Sequence, residues 1–142
     1  MSQSHDWPVR VYYEDTDAEG VVYFANYLKF MERGRTEWLR ALGVEQDRLR
    51  SEHGLVFTVT GTDVKFRRPA RFNDQLIVRT GLIDTSRVRF SLSQDVFRDD
   101  EKEPLVTASC EAACVDAESF RPRRIPAGLL DGVRPGTAVR ED

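Results

Sequence analysis

The chain has 142 residues, 40% of them hydrophobic and 32% charged, with a formal net charge of -3 at pH 7. That length suits one domain with a real core, and the composition excludes a fibrous or disordered chain. The small negative charge excludes a global field that would gather nucleic acid or anionic membrane, and no apolar run approaches membrane-spanning length.

The N-terminal MSQSHDWPVR is polar and lacks a charged-then-apolar leader, so the expectation is a cytoplasmic, soluble protein without membrane insertion. Val9, Val11 and Tyr13 then alternate with Arg10, Tyr12 and Glu14, a period of two that predicts a strand. This strand runs into an acidic knot, Glu14-Asp15-Thr16-Asp17, and a turn at Gly20. From about Val22 to Leu42 the period becomes helical, with Tyr27, Phe30, Met31, Gly34, Trp38, Ala41 and Leu42 on one stripe. Gly34 on that stripe lowers helix propensity, so it predicts close approach to a neighbouring backbone. Asn26 is a candidate N-cap and Gly43 a left-handed C-terminal cap.

Residues 44–54 read as a short helix or loop, and only strands follow. Val56 to Phe66 is the first, with a bulge at Gly61. The turn at 67–74 is marked by Pro69 and Asn73-Asp74. Gln75 to Asp84 and then Val88 to Val96 follow, joined tightly at Thr85-Ser86. Pro104 to Asp116 is the last, with Val106, Ala108, Cys110, Ala112 and Cys114 facing one way and their small side chains leaving room for the long helix. Short links favour antiparallel pairing, and one amphipathic helix against such a sheet is an α+β layout in a single domain, 1–142. The core is expected over about residues 8–127. The Pro-, Gly- and Arg-rich tail from about Phe120 is expected to fray.

Cys110 and Cys114 are the only cysteines. Four residues apart on a strand they are roughly 13 Å from one another, too far for a disulfide, and they read as small buried thiols. With two distant histidines, His5 and His53, they form no zinc-binding spacing, so no metal is expected.

A carboxylate placed just before a helix N-terminus supplies two parts of acyl transfer. It can attack or deprotonate water, while unpaired N–H groups at the helix start stabilise an oxyanion. The same spacing also suits an aspartate that only shapes a turn. Asp15-Thr16-Asp17-Ala18-Glu19-Gly20-Val21-Val22-Tyr23-Phe24-Ala25-Asn26-Tyr27, followed by Phe30, Glu32 and Arg35, resembles the hot-dog-fold acyl-CoA thioesterases. The resemblance is to the hydroxybenzoyl-CoA thioesterase family, in particular its YbgC-like, Tol–Pal-associated branch. It extends to Phe66-Arg67-Arg68-Pro69-Ala70 and to the Arg-Arg-Ile-Pro run at 123–126, covering about residues 8–127.

The resemblance implies a five-stranded antiparallel sheet wrapped around one long central helix. It also implies homodimers with a joined sheet, often paired into tetramers, and active sites between subunits. Asp17 falls on the catalytic carboxylate, the Phe24 N–H on the group that polarises the thioester carbonyl, and Tyr13 on the tyrosine of the branch's active-site trio. Where that trio has a histidine, this chain has Phe24, as hydroxybenzoyl-CoA enzymes have an aromatic there. Asp15 is assigned to support of the turn, and Glu37 to a solvated or interface role. The substrate is an acyl-CoA, whose CoA arrives as part of the substrate rather than as a cofactor.

CoA phosphates call for arginines at the channel mouth, and the candidates are Arg87, Arg89, Arg123 and Arg124, with Arg67, Arg68 and Arg71 as a third group. Phe24, Phe30 and Phe57 are candidate acyl-pocket residues. No Gly-x-Ser-x-Gly elbow or phosphate-binding glycine loop is present, and neither histidine sits in a dehydratase-like motif. A non-catalytic acyl-CoA or acyl-carrier-protein binder is the competing expectation.

Overall fold

The computed structural model describes residues 4–131. Strands β1 (His5–Arg10), β2 (Leu55–Phe66), β3 (Gln75–Thr85), β4 (Arg89–Arg98) and β5 (Val106–Asp116) form one sheet, with helices α1 (Asn26–Ala41) and α2 (Gln46–His53) between β1 and β2. The strand order is β1-β3-β4-β5-β2, and every neighbouring pair is antiparallel. This is the expected hot-dog arrangement.

Period-two burial positions the sheet's inner face. Leu76, Val78, Thr80 and Leu82 on β3, and Phe90, Leu92, Gln94 and Val96 on β4, are all buried. On β5 the five predicted inward residues, Val106 through Cys114 in steps of two, are buried as well, and both thiols are free. Burial pushes the Cys110 and Cys114 thiols up, which leaves them protonated and inert. The bulge predicted at Gly61 appears as a register shift between Val59 and Gly61.

Helix α1 lies across β1 and β3, burying Tyr27, Phe30, Met31, Gly34, Trp38 and Leu39. Leu39 takes the place on the stripe expected for Ala41, which is exposed. Gly34 is where the helix touches the sheet, but against side chains rather than the expected backbone: a Cβ there would lie 2.7 Å from Val78 Cγ1. Gly34→Ala should therefore destabilise the fold by about 1–2 kcal/mol despite alanine's better helix propensity, because overpacking a tight core outweighs it. A lower urea midpoint at constant slope is the expected readout, and a raised midpoint would show that the sheet yields without cost.

The core has two halves. Val9, Val11, Val22, Tyr27, Phe30, Met31 and Ala70 belong to one, at the entry of α1. Trp38, Leu39, Leu49, Leu55, Phe90 and Cys114 belong to the other, which Ile125, Leu129 and Leu130 cover in part. A fully buried Gln94 links the layers: its amide donates to the Met31 carbonyl at 2.8 Å and to Thr80 Oγ1 at 3.0 Å, and its oxygen accepts from Arg35 at 3.0 Å.

Four expectations are corrected. The first strand ends at Arg10, and Tyr13 starts a short 3-10 turn, Tyr13–Asp15, with its side chain 76% exposed rather than in line with Val9 and Val11. Helix α1 begins at Asn26, later than Val22, and the N-cap position is Ala25; Asn26's amide instead donates to the Asp15 carbonyl at 2.8 Å. Phe30, expected among the pocket residues, is core and 1% exposed. The segment 120–131 does not fray. Arg123 N–H bonds the Cys114 carbonyl and Ile125 N–H bonds the Arg87 carbonyl, at 2.9 and 2.8 Å, tying it across the end of the sheet. The rest of the predicted tail, 132–142, lies outside the described residues.

Candidate active site

The acidic knot folds into a tight hairpin. Thr16 and Val22 bridge its arms, Asp17 N–H bonds the Val21 carbonyl at 2.9 Å, and Gly20 N–H bonds the Asp17 carbonyl at 3.0 Å. Gly20 closes it with φ +80, a left-handed conformation that glycine adopts without steric cost. Asp17 is exposed near the tip, and its Oδ1 accepts the Glu19 N–H at 2.9 Å. Its carboxylate thus keeps one oxygen with no partner among the described residues.

Asp15 anchors this hairpin to the helix. Its carboxylate accepts the Tyr12 N–H at 2.8 Å, and its carbonyl collects both the Tyr23 N–H at 2.9 Å and the Asn26 side-chain amide at 2.8 Å. The carbonyls of Tyr23, Phe24 and Ala25 accept from the N–H groups of Asn26, Tyr27 and Leu28, so the helix entry is a tight three-residue turn. Two donors are left over. Among the described residues, the N–H groups of Phe24 and Ala25 have no acceptor. They occupy the positive end of α1, where unpaired donors favour developing negative charge.

Aromatic side chains surround this entry. Phe24 is 58% and Phe66 49% exposed; their centroids are 6.1 Å apart in an edge contact, and Phe66 also meets Tyr27 at 5.6 Å. Tyr13 stacks on Phe72 at 4.0 Å, so its ring is fixed while its hydroxyl faces solvent. Behind the hairpin, Ala70 is fully buried; its carbonyl accepts the Val22 N–H at 2.8 Å and its N–H donates to the Tyr27 hydroxyl at 3.0 Å. Burial pushes the Tyr27 phenol up, so it stays protonated. The turn that holds Ala70 is braced by Arg98, which pairs with Asp74 at 2.9 Å and donates to the Pro69 carbonyl at 2.8 Å.

The four arginines expected to meet CoA phosphates lie elsewhere. Backbone bonds from Cys114 to Val88, Arg123 to Cys114 and Ile125 to Arg87 bring 87–89 beside 123–125. Arg123 pairs with Asp116 at 2.9 Å, and Asp116, held by the Ser119 and Glu118 N–H groups and by Arg123, lies below the usual carboxylate range. Arg87, Arg89 and Arg124 are exposed and have no carboxylate partner among the described residues. This cluster follows the end of β3, whereas the Asp17 hairpin is bonded to Ala70, just before its start. Strand β3 runs from Gln75 to Thr85, about 33 Å at the usual rise per residue. One chain therefore brings Asp17 and the helix entry together, and the arginines to the far end of the sheet.

The remaining candidates are structural. Arg68 pairs with Glu101 at 2.9 Å, and Glu37 is half-buried against Arg40. Phe57 packs edge-on to Phe90, with centroids 5.0 Å apart, in the distal half of the core. Sequence reading did not single out the Ala25 N–H, the Tyr27 hydroxyl or Ala70. The helical stripe explains Tyr27 as packing, and no sequence signal ties it to Ala70, 43 residues away.

A family model, the Thioesterase-like superfamily, matches residues 11–133. The acyl-CoA thioesterase YbgC of Haemophilus influenzae is 38% identical over 126 residues, covering 89% of this chain and 91% of that protein. The acyl-CoA thioester hydrolase YbgC of Escherichia coli is 39% identical over 124 residues, with 87% and 91% covered. A crystal structure of a probable thioesterase from Bartonella henselae superposes with a TM-score of 0.82 at 39% identity, covering 87% of this chain and 99% of that one. The motif, the fold and these relatives agree: the chain belongs to the thioesterase-like superfamily, in the family of the YbgC acyl-CoA thioesterases.

Proposed function

We propose that the protein hydrolyses acyl-CoA thioesters to the free acid and CoA. The observation that carries this reading is the stitching of the Asp17 hairpin to a helix entry with two unused backbone donors. The thioester carbonyl oxygen sits against the Phe24 N–H, which stabilises the oxyanion as the carbon becomes tetrahedral. Asp17 acts as general base, taking a proton from the attacking water, or as nucleophile, forming an anhydride that water then opens. Collapse of the tetrahedral species expels the CoA thiolate. The Tyr13 hydroxyl, exposed near the hairpin, is a polar contact for the substrate. Exposed Phe24 and Phe66 provide an apolar setting for the acyl group. The relatives' acyl-CoA thioesterase activity supports the reaction class, and two free thiols fit a reducing cytoplasm.

The test is hydrolysis of a panel of aliphatic and aromatic acyl-CoAs by the purified protein. Tight binding without turnover across the panel would favour the competing reading, an acyl-CoA or acyl-carrier binder, for which Phe24 in place of the branch's histidine is the motivating observation.

Arg87, Arg89, Arg123 and Arg124 receive the CoA phosphates in this reading, with a second copy of the chain supplying them to the Asp17 site. Strand β2 offers the joint, a 12-residue edge strand with exposed Val59 and Phe66. The working assembly is a homodimer, alone or paired into a tetramer. Mixing Asp17→Asn protein with Arg87→Glu/Arg124→Glu protein, each poor alone at low substrate, should then restore about a quarter of wild-type activity: half the random dimers are hybrids, each with one intact site of two. No gain after subunit exchange would place carboxylate and arginines in one subunit's site.

A further inference from the structure

We propose that Tyr27 is a positioning residue, whose hydroxyl clamps the Asp17 hairpin to the oxyanion end of α1 through Ala70. This inference rests on the thioesterase reading above and names a residue of that same site. Ala70 carries the clamp, beside the Asp15 carbonyl that also joins hairpin to helix. Its N–H donates to the Tyr27 hydroxyl at 3.0 Å, and its carbonyl accepts the Val22 N–H at 2.8 Å. Val22 stands two residues before Phe24 and Tyr27 three residues after it, so one buried residue holds both sides of the proposed oxyanion donor.

Ala70 is 0%, Val22 4% and Tyr27 3% exposed, so no water competes for these bonds. A buried N–H without an acceptor is costly, and the segment around Ala70 shifts when its acceptor is removed. The hairpin follows through Val22, and Asp17 N–H is bonded to Val21, the adjacent residue. The Tyr27 ring is held independently, by edge contact with Phe30 at 6.0 Å and by Phe66 at 5.6 Å. Deleting the hydroxyl alone therefore leaves the ring packed and frees the clamp.

The experiment is Tyr27→Phe, assayed for kcat and KM with a turned-over acyl-CoA and for amide hydrogen exchange by NMR. kcat should fall about tenfold with KM within about twofold, since misplacing a reacting group costs rate without loosening the nucleotide end of the substrate. The Val22 amide should exchange faster while Cys114 and Ile125, at the far end of the sheet, keep wild-type rates. Site-specific 3-fluorotyrosine at position 27 keeps ring and hydroxyl but weakens the acceptor. It should give a smaller effect of the same sign, and it serves as the decisive variant should Tyr27→Phe fail to fold. Unchanged kcat, or faster exchange spread evenly over the whole sheet, overturns the proposal. A wild type that hydrolyses no acyl-CoA overturns the thioesterase reading instead, and Val22 exchange then decides the clamp alone.

Discussion

Replacing Asp17 by asparagine should lower kcat on acyl-CoA by two orders of magnitude or more, within the range of about 10²–10⁴ that a positioned base contributes. The substitution is nearly isosteric, and the Asp17 side chain's recorded bond is with the Glu19 N–H, which an asparagine oxygen also accepts. The hairpin has further support in the Thr16–Val22 bridge and the Asp17 N–H bond to Val21. Fold and KM should therefore stay close to wild type while the chemical step fails. Steady-state assays with circular dichroism check this, and equal turnover by the two proteins would remove Asp17 from the mechanism. Single-turnover hydrolysis in ¹⁸O-water separates the two roles for Asp17. Beside the thioester's own carbonyl oxygen, the product acid gains one solvent oxygen under general-base attack, whereas a nucleophilic carboxylate whose anhydride water opens at the Asp17 carbon first leaves an Asp17 oxygen there, so protein oxygen in the product identifies the nucleophile.

Changing Phe24 to alanine should cost only a few-fold in rate, whereas Phe24→Pro should cost about 10²–10³, the loss typical of one oxyanion donor. The contrast follows from which part of Phe24 does the work. Its side chain is 58% exposed, and its ring contacts are with Tyr23 and Phe66. Its N–H has no acceptor among the described residues, so proline removes no structural hydrogen bond. Proline is also tolerated at helix entries, where a donor is unpaired anyway. Both variants should fold, and both should bind CoA alone as wild type does. Comparable activity of the alanine and proline variants would show that the backbone donor is not used, leaving Ala25 N–H as the alternative.

In the proposed mechanism, the expected contrast also accounts for the lack of a histidine at this position. A histidine side chain would add a proton donor or acceptor beside the thioester. The backbone donor belongs to whichever residue stands there. Its direction is set by the three-residue turn through Tyr23, Phe24 and Ala25 rather than by a side chain.

Much of this architecture is legible in the chain itself. The period-two runs over β4 and β5 place their inward residues correctly, although Thr107, Ala113 and Val115 on the other face of β5 are buried as well. The bulge at Gly61, the close approach at Gly34 and the left-handed Gly43 all follow from the backbone freedom or small size of glycine. The Asp15-to-Tyr27 motif points to the family, and the relatives bear that out. These are local properties: periodicity, turn chemistry and a contiguous motif.

Other features depended on particular contacts, some within the acidic turn and some between distant segments. Tyr13 leaves the strand pattern because Asp15 captures the Tyr12 N–H and bends the chain into a 3-10 turn. The helix starts late because the chain first makes a three-residue turn through Tyr23, Phe24 and Ala25, with the Tyr23 N–H held by the Asp15 carbonyl. The segment 120–131 is held in place because Arg87 and Cys114 supply acceptors and because Ile125 and Leu129 cover apolar core. The Tyr27–Ala70 bond and the separation of Asp17 from the arginines both arise from how the sheet is ordered. From sequence alone came the family, the strand periods and the acidic turn, since each is written in neighbouring residues. Only the tertiary structure decided which N–H groups stay free, what holds them, and how far the arginines lie from Asp17, because those depend on pairing across 43 residues and more.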